Sequence, residues 1–306
     1  MRIAIMAAGS IGGYLGARLV AGGCDVSFIA RGAHLETMKN KGLQIESTLG
    51  DLHLNDITVT DNPAEIGPVD IVIFTVKLWD NETAAEMCKP LISDETAVIT
   101  FQNGIESIDM LSETLGKSHA IGGAAYISAA IAAPGEIRHV GNTAKFVIGE
   151  PDSTPSDRLK EFIDVCQQSD IDMSLAENIL RVLWQKFMFF APVSGVTSAS
   201  RSTLGVAFAE PELRQTILAA MKEVISLGQA KGIDLANDNI NQQMAFGDSL
   251  PLETKTSVLR DLEEGKRLEI PWLVGAVHRL GTEIGIETPV SSTLYSVLKP
   301  FVDGSD

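Results

Sequence analysis

The stretch MRIAIMAAGSIGGYLGARL (residues 1–19) decides the fold. Residues 3–6 read as a short buried strand, and Ile11, Leu15 and Leu19 recur every four residues on one face of a following helix. Between them lies AAGSIGG, which is nearly the G-x-G-x-x-G turn of a dinucleotide-binding βαβ unit. Gly9 and Gly12 occupy the second and third glycine places, and Ala7 stands in the first. A strand before and a helix after are the context in which such a turn carries meaning. Gly9 would let the backbone approach a pyrophosphate, Gly12 would let the helix pack closely on the sheet, and the free N–H groups of the helix start would face the phosphates. Ala7 adds one methyl group, tolerable where that residue keeps negative φ and costly where the turn needs positive φ. A purely structural turn is the alternative.

Outward from this unit, strand-like and helix-like segments alternate. DVSFIAR (25–31) reads as strand, followed by helix from about His34 to Lys41. VDIVIFTVK (69–77) is a near-continuous apolar run, the pattern of a strand buried on both faces. Helix is expected over 81–91 and a second buried strand in TAVITFQNG (96–104). HAIGGAAYIS, IRHV and KFVIGE complete the series around the turn-forming AAPGE, and SDIDMSLAE returns one more strand. Repeated βαβ units predict an α/β fold, a Rossmann-type doubly wound and mostly parallel sheet. From about Glu177 the patterns become helical, over 177–190, 210–232, 252–264 and 271–285. The expected domains are therefore 1–176, a cofactor-binding Rossmann domain, and 177–306, an all-helical substrate and catalytic domain.

Composition narrows the partners. The chain has 306 residues and a formal charge of −16, a surface that disfavours nucleic acid and anionic membrane. Cys24, Cys88 and Cys166 are far apart and form no C-x-x-C pair, and the five histidines are scattered, so neither a disulfide framework nor a metal site is expected. The opening strand starts at once, with no charged leader and apolar signal core, and no apolar run approaches the roughly 18–20 residues that span a bilayer. A soluble cytoplasmic protein is expected. The oligomeric state is left open, a homodimer included.

In a parallel sheet, ligands bind beyond the carboxyl ends of the strands. Those ends carry the AAGSIGG turn, Arg31, Lys77 and the amide Asn103. An acid about twenty residues past the glycines would suit the ribose 2′-OH of NAD, whereas an arginine suits a 2′-phosphate. Position 30 is Ala and position 31 is Arg, so no acid competes there and NADP(H) is favoured. The bland readings are that Arg31 is a solvated loop residue and Lys77 an ordinary surface lysine. In the helical half, Lys186, Phe190 and Ser194 lie at i, i+4 and i+8 and share a face wherever the helix stays regular, with Pro192 and Gly195 as candidate kinks. A lone lysine on a Phe- and Met-rich face could equally be snorkelling.

Taken together, MAAGSIGGYLGARL (6–19), TVKLWD (75–80), TFQNGIES (100–107), PGEIRHVG (134–141), LWQKF (183–187) and TSVLRDLEEGKRLEIPWLVGAV (256–277) with GIETPV (285–290) resemble the ketopantoate reductase (2-dehydropantoate 2-reductase) family across essentially the whole chain. The resemblance implies reduction of a small 2-oxo acid by NADPH, a step of pantothenate biosynthesis. It also implies roles for particular residues. Lys186 and Glu269 match the catalytic lysine and the late glutamate. Ala7, Ala8, Gly9, Ser10, Ile11 and Gly12, with Lys77 and Asn103, match cofactor positions, and Arg31, read above from its spacing, completes the cofactor set. Asn103, Lys186, Phe190, Ser194 and Ser257 match substrate positions. Where the family usually has asparagine four and eight residues beyond the lysine, this chain has Phe190 and Ser194, and Gly195 replaces the proline that follows. Phenylalanine cannot hydrogen-bond a substrate hydroxyl or carbonyl. Two further readings follow: a paralogous reductase of a more apolar carbonyl or imine, and an NADP-binding sensor without turnover.

Overall fold

The computed structural model describes residues 1–236 and 238–304. The chain divides into two compact units, residues 1–102 with 106–179 and residues 103–105 with 180–306.

The first unit contains strands β1 (Arg2–Met6), β2 (Asp25–Ile29), β3 (Leu43–Ser47), β4 (Leu52–Leu54), β5 (Thr58–Thr60), β6 (Ile71–Phe74), β7 (Ala97–Thr100), β8 (Ala120–Ala133), β9 (Glu136–Gly149) and β10 (Asp172–Leu175). Helices α1 (Ser10–Ala21), α2 (Gly32–Lys41), α3 (Asn81–Cys88), α4 (Ser107–Leu115) and α5 (Asp157–Gln168) connect them. The strands form one sheet in the order β4-β3-β9-β8-β7-β6-β1-β2-β5, with β10 paired to β9. The pairs β1/β2, β1/β6, β2/β5, β6/β7 and β7/β8 are parallel. The expected Rossmann-type sheet is therefore present. It is mixed at β3/β4 and at β8/β9, which are antiparallel. IRHV and KFVIGE, read as separate segments, fall on the single strand β9 (all but Glu150), whose first half pairs with β3 and whose second half pairs with β10.

Pairing places four strand ends at one edge: Met6 is opposite both Ile29 and Phe74, and Phe74 is opposite Thr100. β6 and β7 are buried at every residue, as a strand covered on both faces requires. α1 lies close on this sheet because Gly12 has no side chain. A Cβ there would stand 2.3 Å from the Ala7 carbonyl oxygen and 2.4 Å from Thr75 Oγ1.

The second unit is helical, as expected. It is built from α6 (Ile179–Ser200), α7 (Leu204–Ala209), α8 (Pro211–Ala230), α9 (Asp238–Ser249), α10 (Ser257–Glu263), α11 (Val274–Ile284) and α12 (Pro289–Leu298). α6 runs unbroken as one helix through Pro192, which keeps Lys186, Phe190 and Ser194 on a common face. Gly195 has a packing reason: a Cβ would stand 2.8 Å from Val274 Cγ1 and 3.2 Å from Leu294 Cδ1. By compactness the chain divides after Ile179, with residues 103–105 falling to the helical unit. Ile179 belongs to the sheet unit because its side chain packs on Gly122 and Gly149, and Ile105 belongs to the helical unit because it packs against that unit's core.

One buried carboxylate staples the helical unit. Glu223 on α8 accepts from the backbone N–H groups of Val290 (2.7 Å) and Ser291 (2.9 Å) and from the Ser291 hydroxyl (2.6 Å). These are first-turn amides of α12, whose own N-cap residue, Thr288, makes no side-chain cap. Glu223→Ala leaves three donors unpaired, so the expected loss is about 2–4 kcal/mol, read as a lowered urea midpoint with unchanged slope.

Candidate active site

The turn after β1 is tied down on every side. The Met6–Ala7 peptide is cis, and Ala7 does not have a positive φ. Ala7 therefore meets the backbone condition, φ not positive, under which alanine can stand in for the first glycine. The Ala7 carbonyl accepts from Gly9 N–H and from the Thr75 hydroxyl, both at 2.8 Å. Ala8 donates its N–H to the Ile29 carbonyl at 2.8 Å, and its own carbonyl is held by His34 Nε2 at 2.9 Å.

Two features fit this turn to a dinucleotide. No side chain caps α1, so the amides of Ser10, Ile11 and Gly12 at its first turn have no capping acceptor from Gly9. At Gly9 a Cβ would meet no atom within 4 Å, so the residue fronts open space that a side chain would occupy. Backbone donors, a helix N-terminus and a side-chain-free approach are the donor set a pyrophosphate needs.

The other strand-end residues differ in detail from expectation. Arg31 is the N-cap residue of α2 and is largely exposed, but an acid does compete for it: Asp80 Oδ2 lies 2.6 Å from Arg31 Nη2. The sequence reading considered only acids following the glycines along the chain. Asp80 comes forty-nine positions after Arg31, brought in by the loop after β6. Lys77 does not end a strand. β6 stops at Phe74, and Lys77 is an exposed residue whose ammonium lies 5.4 Å from the Trp79 ring centroid. Gln102, part of the fourth strand end but given no role from the sequence, bonds the Val76 carbonyl at 2.7 Å and Asn81, fixing the segments after β6 and β7 to each other.

Within the helical unit, Lys186 on α6 donates to Asn103 Oδ1 at 3.0 Å. Glu269, buried at the turn before a short 3₁₀ helix, acts on the same ammonium through its charge. Burial lowers the Lys186 pKa to about 8, against the opposing pull of Glu269. The sequence could not say which of the two wins; burial does. The structure thus brings Lys186, Asn103 and Glu269 together as an ammonium with a hydrogen-bond acceptor and a counter-charge. An ammonium of this kind can stabilise a developing oxyanion and also release a proton near neutral pH.

Ser194 is buried and Ser257 half-buried, yet the hydroxyls of both are shut off from solvent with no hydrogen-bond partner among the described residues, a property shared by Ser198, one helical turn beyond Ser194. Thr197 Oγ1 lies 3.3 Å from Thr256 Oγ1, which joins this part of α6 to the start of α10 beside Ser257. Phe190 is half-buried against the core of the unit. Ser198 escaped notice because a serine on a long helix gives no signal of orphaned burial. His34 and Thr75 escaped because their partners are distant in sequence. Among the described residues, no group of three metal-ligating side chains occurs and no helix is long and apolar enough to cross a membrane.

Comparison with known proteins gives consistent matches along the chain. The family model described as ketopantoate reductase PanE/ApbA matches residues 3–153, and its C-terminal counterpart matches residues 178–302. A 2-dehydropantoate 2-reductase of Mesorhizobium japonicum is 30% identical, covering 98% of this chain and 97% of that protein. An uncharacterized oxidoreductase of Bacillus subtilis is 27% identical, covering 98% and 99%. The crystal structure of 2-dehydropantoate 2-reductase from Geobacter metallireducens superposes with a TM-score of 0.92 at 29% identity, covering 98% and 99%.

Proposed function

This chain belongs to the ketopantoate reductase family of oxidoreductases acting on CH–OH groups, and from that membership we propose that it reduces 2-dehydropantoate to pantoate with NADPH. The observation that carries the proposal is the Lys186–Asn103 hydrogen bond beside the buried charge of Glu269. Bound NADPH would supply the hydride. The protein's residues supply the rest. Ser10, Ile11 and Gly12 offer backbone donors to the pyrophosphate, and Arg31 offers a guanidinium to the 2′-phosphate. Lys77 lies in the loop that also presents Asp80. Ser257 and Asn103 offer donors to the substrate carboxylate, and Ser194 a hydroxyl to its far end. Lys186 stabilises the negative charge that develops on the carbonyl oxygen and gives that oxygen its proton. Glu269 keeps the lysine charged against the cost of burial.

The test is consumption of NADPH by the purified protein on addition of 2-dehydropantoate, compared with NADH. Steady turnover supports the proposal, and none with either nucleotide overturns it. Phe190 favours a second reading, a 2-oxo acid with an apolar rather than a hydroxylated tail. Under it, apolar 2-oxo acids give the higher kcat/KM in the same assay.

Cofactor choice has its own test. Arg31→Asp removes the 2′-phosphate partner and places an acid beside Asp80. NADPH binding is expected to weaken by about a hundredfold, near 2.7 kcal/mol, with NADH changed far less. Equal weakening of both nucleotides would show that Arg31 does not read the 2′-phosphate.

A further inference from the structure

The scattered histidines read as unremarkable in the sequence, but one of them holds the dinucleotide turn. His34, the third residue of α2, makes two hydrogen bonds through opposite sides of its ring. Nε2 lies 2.9 Å from the Ala8 carbonyl oxygen, and Nδ1 lies 3.0 Å from the backbone nitrogen of Gly135 in the β8–β9 turn. A carbonyl oxygen can only accept and a backbone N–H can only donate. Nε2 therefore carries the proton and Nδ1 presents its lone pair, so both partners are satisfied by the neutral imidazole in this one tautomer.

The consequence reaches the ligand through peptide geometry. The Ala8 carbonyl and the Gly9 N–H share one planar peptide group and point in opposite directions. Anchoring the oxygen on His34 fixes that plane, and with it the approach to the amides of Ser10, Ile11 and Gly12. A rotated Ala8–Gly9 peptide would turn its carbonyl dipole toward a bound anion and break the Gly9 N–H bond to the Ala7 carbonyl.

We propose that His34 is a positioning residue for the cofactor, holding the Ala8–Gly9 peptide in its phosphate-accepting orientation only while the imidazole is neutral. The proposal rests on the dinucleotide reading of the turn. A protonated ring places an N–H against the Gly135 N–H, so acid breaks the brace at its outer end and, by driving the ring away from that N–H, shifts the Ala8 oxygen that Nε2 still holds. Burial already lowers the His34 pKa, with the Ala8 bond opposing, so the neutral form prevails at neutral pH. The turn over Ala7–Gly9 brings no ionisable side chain to it. Arg31, Glu36 and Lys39 beside and along α2, and Glu136 next to Gly135, are all exposed.

Two variants and one ligand test this. His34→Gln retains an amide donor and acceptor without a proton to gain, and His34→Leu retains neither. Isothermal titration with NADP⁺ is made well above and well below the ordinary imidazole value of 6.5. The ligand's own phosphate titration is common to all three proteins and cancels in the comparison. The wild-type protein is expected to lose about tenfold more affinity in acid than His34→Gln, equivalent to one lost hydrogen bond of roughly 1.4 kcal/mol. His34→Leu is expected to bind about tenfold more weakly already at neutral pH, with no further excess loss in acid. Equal acid losses in wild type and His34→Gln, which keeps the test open even where His34→Leu does not fold, overturn the role of His34. Absence of NADP⁺ binding by the wild type at either pH overturns instead the dinucleotide reading beneath it.

Discussion

Lys186→Ala is expected to lower kcat/KM for 2-oxo acid reduction by about a hundredfold or more, at least ~2.7 kcal/mol of transition-state stabilisation, while NADPH still binds. The size follows from what the ammonium does. Hydride arriving at a carbonyl carbon leaves charge on oxygen, and a buried cation aimed at that oxygen acts in a medium that screens it poorly. Lys186 is held by Asn103 and charged with the help of Glu269, so it is in place before the substrate arrives. Lys186→Arg separates its two duties. A guanidinium keeps the positive charge but does not give up its proton in this pH range. This variant is expected to bind substrate nearly as well as wild type and to turn it over slowly. Full activity in Lys186→Ala, measured by NADPH consumption, would remove the residue from the chemistry.

The second large effect separates two glycines of one turn. Gly12→Ala drives a methyl group to 2.3 Å from a backbone oxygen and 2.8 Å from Ile5 Cγ2 in the buried strand β1. α1 must then lift from the sheet, at a cost of roughly 3 kcal/mol or more, visible as a lowered urea midpoint. Gly9→Ala meets nothing within 4 Å, and its φ of −74° suits alanine, so the fold is expected to be unchanged. The methyl group instead enters the space in front of the turn, and NADPH affinity is expected to fall by about tenfold or more. Loss of stability in Gly9→Ala, or full stability in Gly12→Ala, would contradict this division of labour.

What could be read in advance was what is local. β1, the turn and α1 declared themselves because the apolar period changes from strand to helix across a glycine pair. β6 and β7 did so because a strand buried on both faces must be apolar throughout. The shared face of α6 followed from spacing alone and survived Pro192 because the helix continues through it. The short strands β3, β4 and β5 were passed over, although the burial of β3 alternates residue by residue. Runs of three to five residues between turn formers carry too few periods to stand out. α5, with apolar Leu159, Phe162, Ile163 and Cys166 on one side, was hidden by the cluster of Pro, Ser and Asp before it. In the candidate site, residue types were legible and pairings were not. Asp80 meets Arg31, and His34 bridges Ala8 and Gly135, across separations that no pattern along the chain encodes. Nor could the sequence weigh burial against Glu269 at Lys186, because both depend on where other segments come to lie.

The dependence of kcat/KM on pH, for NADPH-driven reduction of 2-dehydropantoate, tests the central claim most directly. Proton donation needs the ammonium form, so activity must be highest below the Lys186 pKa and decline as pH rises through about 8. That decline is expected in the wild-type protein and is expected to vanish, at a much lower overall rate, in Lys186→Ala. A wild-type rate that stays level across this range, or the same decline persisting without the lysine, would contradict it.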